Sequence, residues 1–290
     1  MTKLLLYYAL RPLADPWAIR LWQHELAFRL GLRGRIVVSP QGLHGTVGGD
    51  PRRLEQYATA TRQHPALADL RFCRLDGSAG ATLPRLSVAV HREIVAFGAS
   101  EELRIGDSGV LGGGGRQLSP REVHDLVARR GPEVVFLDGR NRYEAEVGRF
   151  RGAHVPDVDA ARDFLRELDS GKLDEFKHRP VITYCDSGLR SEILMSLMAN
   201  RGFTEIYQLD GGIVTYGSDY ADDGLWEGAL YLLGDRVRIL FRHHPVVLGR
   251  CESCGASTCS YRDCVAPLCG DHALLCNGCA DFALCAAHRN

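Results

Sequence analysis

The stretch Val181-Ile182-Thr183-Tyr184-Cys185-Asp186-Ser187-Gly188-Leu189-Arg190-Ser191 decides the fold. Its first four residues form a continuous run without polar alternation, the pattern of a strand buried on both faces of a parallel sheet. Ser191–Arg201 then places Ile193, Leu194, Leu197 and Met198 on one helical face. The loop from Cys185 to Arg190 therefore joins a strand end to a helix start. Val134–Leu137 and Ile206–Leu209 read as two further buried strands, the second ending at Asp210-Gly211-Gly212, and Ala160–Leu168 reads as a helix. Ser119-Pro120 with Glu122 opens this region as a capped helix. Strands alternating with helices over residues 119–222 predict a parallel α/β sheet whose ligand binds at the carboxyl ends of the strands.

Upstream the style changes. Leu4–Ala9 and Arg35–Ser39 are strand-like, with Trp17–Leu30 between them as a helix whose Ile19, Trp22, Leu26, Phe28 and Leu30 share a face. Gln41–Gly49, QGLHGTVGG, reads as a glycine turn entering a short strand, and Pro51 opens a helix over Arg52–Gln63. Leu86–Val90 and Ile94–Phe97 close the unit as strands. Two helices threaded through four or five strands predict an α+β domain of ferredoxin or acylphosphatase type over residues 1–98. Residues 99–118 contain four adjacent glycines, Gly112–Gly115, and are expected to be a linker.

Downstream, over residues 223–290, the distribution of cysteine is the informative number. Of 10 cysteines, only Cys73 and Cys185 lie before residue 251. The rest give Cys251-x2-Cys254, Cys264-x4-Cys269, Cys276-x2-Cys279 and Cys285-x2-His288, with Cys259 and His272 left over. A segment of roughly 40 residues with so little apolar content does not fold unaided, so it is expected to hold metal. Alternating the pairs puts Cys251, Cys254, Cys276 and Cys279 on one zinc ion and Cys264, Cys269, Cys285 and His288 on another. A single zinc with several free thiols and an iron–sulfur cluster are the alternatives.

The remainder of the chain is ordinary globular composition, 45% hydrophobic and 24% charged, which excludes a disordered or fibrous protein. Lys+Arg 35 against Asp+Glu 36 gives a net charge of −1, so any nucleic-acid contact must be a local basic patch. Arg140, Arg142, Arg149 and Arg151 crowd one such place, and Arg236, Arg238, Arg242, His243 and His244 another. The apolar run Leu4–Leu10 meets Arg11 and Pro12 without a cleavage site, and no window reaches the roughly 20 apolar residues of a membrane span. A cytoplasmic protein with reduced thiols and no membrane partner is the expectation.

The Cys185 loop carries the chemistry. A thiol at a helix amino terminus is favoured as thiolate by free N–H groups and the dipole, Gly188 lets the loop curl, and Arg190 adds a fixed cation, whereas Asp186 opposes the thiolate. A buried structural cysteine is the alternative. Asp138 and Arg140 are expected to tie loops together by a charge-assisted pair. Glu144 and Glu146 read as partners of a helix dipole, and Tyr143 and Tyr184 as base-stacking or buried aromatics.

The chain resembles a known family in several places. Asp138-Gly-Arg140-Asn-Arg-Tyr143-Glu144, Cys185 to Ser191 and Leu209-Asp210-Gly211-Gly212-Ile213 are similar to the successive signatures of a rhodanese domain. Together with Gln41–Gly49, HREIVAFG (His91–Gly98), the Leu225-Trp226-Glu227-Gly228 turn and the cysteine tail, the whole resembles the rhodanese-like tRNA uridine hydroxylases that form 5-hydroxyuridine at the wobble position. The family loop usually reads C-T-G-x-I-R-C, and this chain departs from it with Asp186, Ser187 and Ser191.

The resemblance implies an oxygen-dependent oxidoreductase acting on the anticodon arm of tRNA, with dioxygen as co-substrate and no DNA partner. No flavin or nicotinamide fingerprint stands out, nor does an iron-binding pattern of two histidines and one carboxylate. Cys185 would add to C6 of uracil and make C5 nucleophilic toward oxygen. The first domain would dock the anticodon arm, with QGLHGTVGG as an exposed loop. Two other readings stand beside this one: a sulfurtransferase carrying a persulfide on Cys185, and a non-catalytic zinc-containing RNA- or protein-binding module.

Overall fold

The computed structural model describes residues 3–288 except 69, 77–82, 84, 107–108, 112–114, 233–236 and 242–245. The first region runs β1 (Lys3–Leu10), α1 (Pro16–Arg29), β2 (Arg33–Ser39), β3 (Gly42–Gly49), α2 (Pro51–Arg62), β4 (Arg71–Asp76) and β5 (Leu86–Val90). Both helices start on an Asp cap, Asp15 and Asp50, with proline in the first turn where its missing N–H costs nothing. The strands form one sheet in the order β4-β1-β3-β2-β5, in which only β2 and β5 pair in parallel. Side chains alternate across it: Leu5, Tyr7, Ile36, Val38, Leu43 and Val47 pack toward the helices, as expected for an α+β unit.

Three expectations for this region are corrected. Gln41–Gly49 is not an exposed loop: the short strand expected there runs over Gly42–Gly49 as the central strand of the sheet, with Leu43 and Val47 fully buried. Ile94–Phe97 is not a strand, and Ile94 and Phe97 instead plug into the core of the next region. Helix α1 buries Ile19, Gln23 and Ala27, whereas Phe28 is 67% exposed. Gln23 is inside because Tyr57 donates to its side-chain carbonyl and Tyr7 in turn to Tyr57. A buried polar relay across three elements leaves no trace in apolar periodicity.

The expected linker is partly ordered into β6 (Arg104–Gly106), β7 (Gly109–Leu111) and β8 (Arg116–Leu118), while Gly112–Gly114 lie outside the described residues. The first two pair as a hairpin, and β8 joins the second sheet. There follow α3 (Pro120–Arg130), β9 (Val135–Asp138), α4 (Arg142–Val147), β10 (Gly148–Phe150), α5 (Asp163–Asp169), β11 (Val181–Tyr184), α6 (Leu189–Ala199), β12 (Ile206–Leu209) and α7 (Gly212–Tyr220). Helix α6 starts two residues before the expected Ser191, and α5 starts three after the expected Ala160. The sheet is parallel throughout in the order β8-β12-β11-β9, with α3 and α7 on one face and α5 and α6 on the other. A central strand covered on both sides puts the loop after β11 in the middle of the sheet's carboxyl edge.

The two sheets share their cores. Leu4, Leu6 and Leu75 from the open face of the first sheet belong to one apolar cluster with Leu118, Ile182, Tyr184 and Ile213. The remaining elements are β13 (Trp226–Gly228), β14 (Leu230–Leu232), β15 (Val237–Ile239), β16 (Tyr261–Asp263) and β17 (His272–Leu274). Leu225–Gly228, expected as a turn, contributes β13, which pairs with β10 and buries Trp226. Among the described residues no helix is long and apolar enough to cross a membrane.

Candidate active site

Cys185 directly follows β11, and its side chain is fully buried. The Gly188 N–H donates to Sγ at 3.2 Å, at a backbone φ of 107°. The Ser191 hydroxyl lies 3.4 Å from Sγ and 3.0 Å from the Gly188 carbonyl, so its one proton serves one or the other. Helix α7 closes the loop from behind: Ile213 N–H donates to the Cys185 carbonyl and Val214 N–H to that of Asp186. This approach needs Gly212, where φ is 63° and a Cβ would meet both carbonyl oxygens at 2.5 Å. The Leu209–Ile213 segment thus acts as a backbone clamp on the cysteine loop.

Arg190 is held in place by Glu144, a residue that reads from sequence only as a dipole partner. Its guanidinium donates to both Glu144 oxygens, at 2.7 and 2.9 Å, and lies 3.6 Å from Asp186. Glu144 is fully buried and also accepts from the Asn141 N–H. Burial works against the Arg190 charge, yet Glu144 and then Asp186 more than offset it and hold its pKa well above the ordinary value. Asp138 and Arg140 form the expected pair with no exposed surface, through Nε at 2.9 Å and Nη2 at 2.6 Å. Arg140 also donates to the Gly148 carbonyl and sits over the Trp226 ring, while Tyr184 donates to Asp138. This second pair is a scaffold under the loop and faces no ligand space.

The electrostatics of the thiol differ from the expectation of a depressed pKa. Burial first, and Asp186 second, push the Cys185 thiol up; Arg190 and the Ser191 hydrogen bonds pull it down by less. Asp186 stays ionised, because Arg190 and the Ser187 N–H outweigh its own burial. The opposing effect assigned to Asp186 from sequence therefore has the stated sign.

Above the loop, the open face of the first sheet supplies residues that sequence reasoning misses. Cross-strand register sets Tyr8 beside His44 and His44 beside Val37, and it sets Arg35 beside Thr46. Period-2 alternation points these residues at the Cys185 loop, where Arg35, Val37, His44 and Thr46 enclose a cavity of about 340 Å³ with Asp186, Ser187, Leu189 and Arg190. A second cavity of about 730 Å³ opens on the other side of Ser187, toward Asp210 and Cys73. Tyr8 lines this second cavity and donates to Glu192 of α6 at 2.8 Å. Burial lowers the His44 pKa to about 4, so its imidazole is neutral near pH 7. A signal exists in the sequence: Gln41–Gly49 and His91–Gly98 both carry the family resemblance, and Gln41 accepts the Ile94 N–H to tie them together.

Several expected RNA contacts are occupied. Arg140 is buried, Arg142 pairs with Glu146, Asp157 and Asp159, and Arg151 pairs with Glu227. Arg149 donates to the Ala145 carbonyl. Tyr184 is buried, and Tyr143 is half-buried with its ring near-perpendicular to those of Tyr231, Tyr261 and His272. Arg238 binds Ser260, and Arg236, Arg242, His243 and His244 lie outside the described residues.

In the cysteine tail the side chains of two groups of four, with the membership of the alternating pairs, lie close together. The ligand atoms of Cys251, Cys254, Cys276 and Cys279 lie within 4.8 Å of one another, as do those of Cys264, Cys269, Cys285 and His288. Cys254–Cys276 at 3.6 Å and Cys269–Cys285 at 3.8 Å are far from disulfides and close to the roughly 3.8 Å edge of a tetrahedron with Zn–S bonds of about 2.3 Å. Backbone N–H groups, chiefly those of Cys276 and Cys285, lower the Cys251 and Cys264 thiols to about 6. Both sets fit a zinc ion. The two leftover residues have other duties: Cys259 contacts Arg238, and His272 packs in the tyrosine cluster.

Residues 2–94 match the family described as UPF0176 acylphosphatase like domain, and residues 119–219 match the Rhodanese-like domain family. The chain is 50% identical over 279 residues to the tRNA uridine(34) hydroxylase of Corynebacterium jeikeium, covering 96% of this chain and 90% of that one. It is 51% identical over 279 residues to the tRNA uridine(34) hydroxylase of Rhodococcus opacus, covering 96% and 97%. Among solved structures, a rhodanese-like domain from Anabaena aligns at 20% identity over 39% of this chain and 78% of its own, with a TM-score of 0.33.

Proposed function

Because this chain belongs to the family of tRNA uridine(34) hydroxylases, we propose that it forms 5-hydroxyuridine at the wobble position of tRNA, with Cys185 as the reacting thiol and dioxygen as the oxidant. The extent of the family match carries this reading, since it takes in the first sheet and the cysteine tail as well as the rhodanese-like region.

In this mechanism the Cys185 thiolate adds to C6 of uracil, forming an S–C6 bond and shifting the C5–C6 electron pair toward C5 and O4. C5 then takes one oxygen atom of dioxygen. The other leaves as water, on receipt of two protons and of two electrons from a reductant outside the chain. Loss of the C5 proton and expulsion of the thiolate restore the ring. Arg190 is the cation that favours the thiolate, and Glu144 fixes its direction. The tail binds two zinc ions through the two ligand sets and has a structural role. The anticodon arm of cytoplasmic tRNA is the partner.

Nucleoside mass spectrometry of tRNA from a deletion strain tests the reading. 5-Hydroxyuridine should disappear, return with the wild-type gene and stay absent with Cys185→Ser. Loss of thiolated uridines instead would move the assignment to sulfur transfer, which the strand, C-x-x-G-x-R-S loop and helix also suit.

A further inference from the structure

We propose that the 340 Å³ cavity between the first sheet and the Cys185 loop is a single-nucleotide pocket, in which His44 meets the polar edge of an unstacked uracil and Arg35 takes its phosphate. The inference rests on the uridine-hydroxylating reading and assigns that substrate a place. Size is the first argument. The cavity lies at the low end of the roughly 300–1,000 Å³ of small-molecule pockets, so it admits one nucleotide and excludes a stem. Enzymes that act on a base take it out of its stack into such a pocket.

The distribution of polar groups is the second argument. Arg190 is committed to Glu144 and to Asp186, and Asp186 to Arg190 and the Ser187 N–H. Among the described residues no hydrogen bond or ion pair to protein is made by the side chains of Arg35, His44 or His91, although all three line the cavity. Arg35 and His91 are exposed at the mouth, and His44 is half-buried deeper in the same face. The Arg35 guanidinium at the mouth suits a phosphate, and the neutral His44 imidazole deeper in suits a neutral base. A neutral imidazole carries one donor and one acceptor nitrogen, and uracil offers O4 as acceptor and N3–H as donor. The neighbours of His44 in register are Val37 and Tyr8, so no side chain of its own sheet competes for that bond.

Binding of short anticodon stem-loop RNAs, one with uridine and one abasic at position 34, separates base from phosphate recognition. The wild-type chain should prefer the uridine RNA. His44→Ala should erase that preference with a loss of roughly tenfold for the uridine RNA, and Arg35→Ala should weaken both RNAs alike. In the wild-type chain, which needs no variant to fold, the His44 imidazole resonance should shift with the uridine RNA and not with the abasic one. A preference that survives His44→Ala, or an unmoved His44 resonance, overturns the pocket. If the wild-type chain makes 5-hydroxyuridine and His44→Ala keeps the preference, the pocket fails alone. If binding follows the pattern but no 5-hydroxyuridine forms, the chemistry fails and the pocket stands.

Discussion

Arg190 donates to both carboxylate oxygens of Glu144, at 2.7 and 2.9 Å, and so fastens the start of α6 to α4 across 46 residues of sequence. Glu144 is fully buried and the Arg190 side chain only 12% exposed, so removing one partner strands a charge. Glu144→Ala is expected to cost about 3–5 kcal/mol in unfolding free energy, read from urea denaturation. Adding Arg190→Met should recover part of that loss. Strict additivity of the two substitutions would mean that the pair is not coupled.

The raised thiol gives a second prediction. Asp186→Asn removes the largest charge opposing the Cys185 thiolate, so the pH profile for alkylation of Cys185 should move to lower pH. Peptide mass spectrometry after timed iodoacetamide exposure reads the rate at each pH. A profile that stays in place would assign the raised pKa to burial alone.

His44 makes stability depend on pH with a defined sign. Its folded pKa of about 4 lies below the ordinary 6.5, so between these values the unfolded chain binds more protons. The contribution is therefore present above pH 6.5 and is lost as pH falls toward 4. His44→Gln should flatten the decline of unfolding free energy over that window, measured by denaturant midpoints at successive pH values. An unchanged slope would locate the titration elsewhere.

Metal removal should be felt at the active site. Cys264, directly after β16, and Cys276, just after β17, belong to the two proposed ligand sets, and the Tyr261 hydroxyl of this hairpin donates toward the Tyr143 carbonyl at 2.8 Å and Glu146 at 3.0 Å. Those acceptors lie on α4, on either side of Glu144. Chelation is expected to release two zinc equivalents per chain and to raise amide hydrogen exchange across residues 142–147. Full protection of α4 in the metal-free chain would show that the tail is only appended.

Three strands of the second sheet, β9, β11 and β12, are legible in the sequence because each is a short apolar run, whereas β8, Arg116-Gln117-Leu118, is hidden in the expected linker. The two cysteine groups are legible because their spacing is local. Glu144 is harder to read, since its partner is remote in sequence and a carboxylate in a first helical turn has an ordinary explanation. Gln41–Gly49 misleads for a related reason: glycines at 42, 45, 48 and 49 look like a turn, yet neighbours on both sides make the segment a central strand. His44 becomes informative only when that strand is paired, because pairing decides which face it takes. The arginine clusters mislead because sequence shows the cations without the carboxylates that the fold brings to them.

The sharing of one core by the two sheets limits how Cys185 can be reached. Swinging the first sheet away like a hinged lid would bring Leu4, Leu6 and Leu75 into water, at roughly 5–9 kcal/mol for three leucines. That is comparable to the whole stability of a typical domain, about 5–15 kcal/mol, so such a gate would open only as the protein unfolds. The seam is permanent, and a substrate must thread into it. The loop is itself held from behind, because Ile213 and Val214 donate to the Cys185 and Asp186 carbonyls, Gln208 donates to that of Gly188, and Leu189 is buried in an apolar cluster. The Cys185 loop thus sits between two sheets joined by one apolar cluster, and the space open to a substrate is the cavities beside the loop.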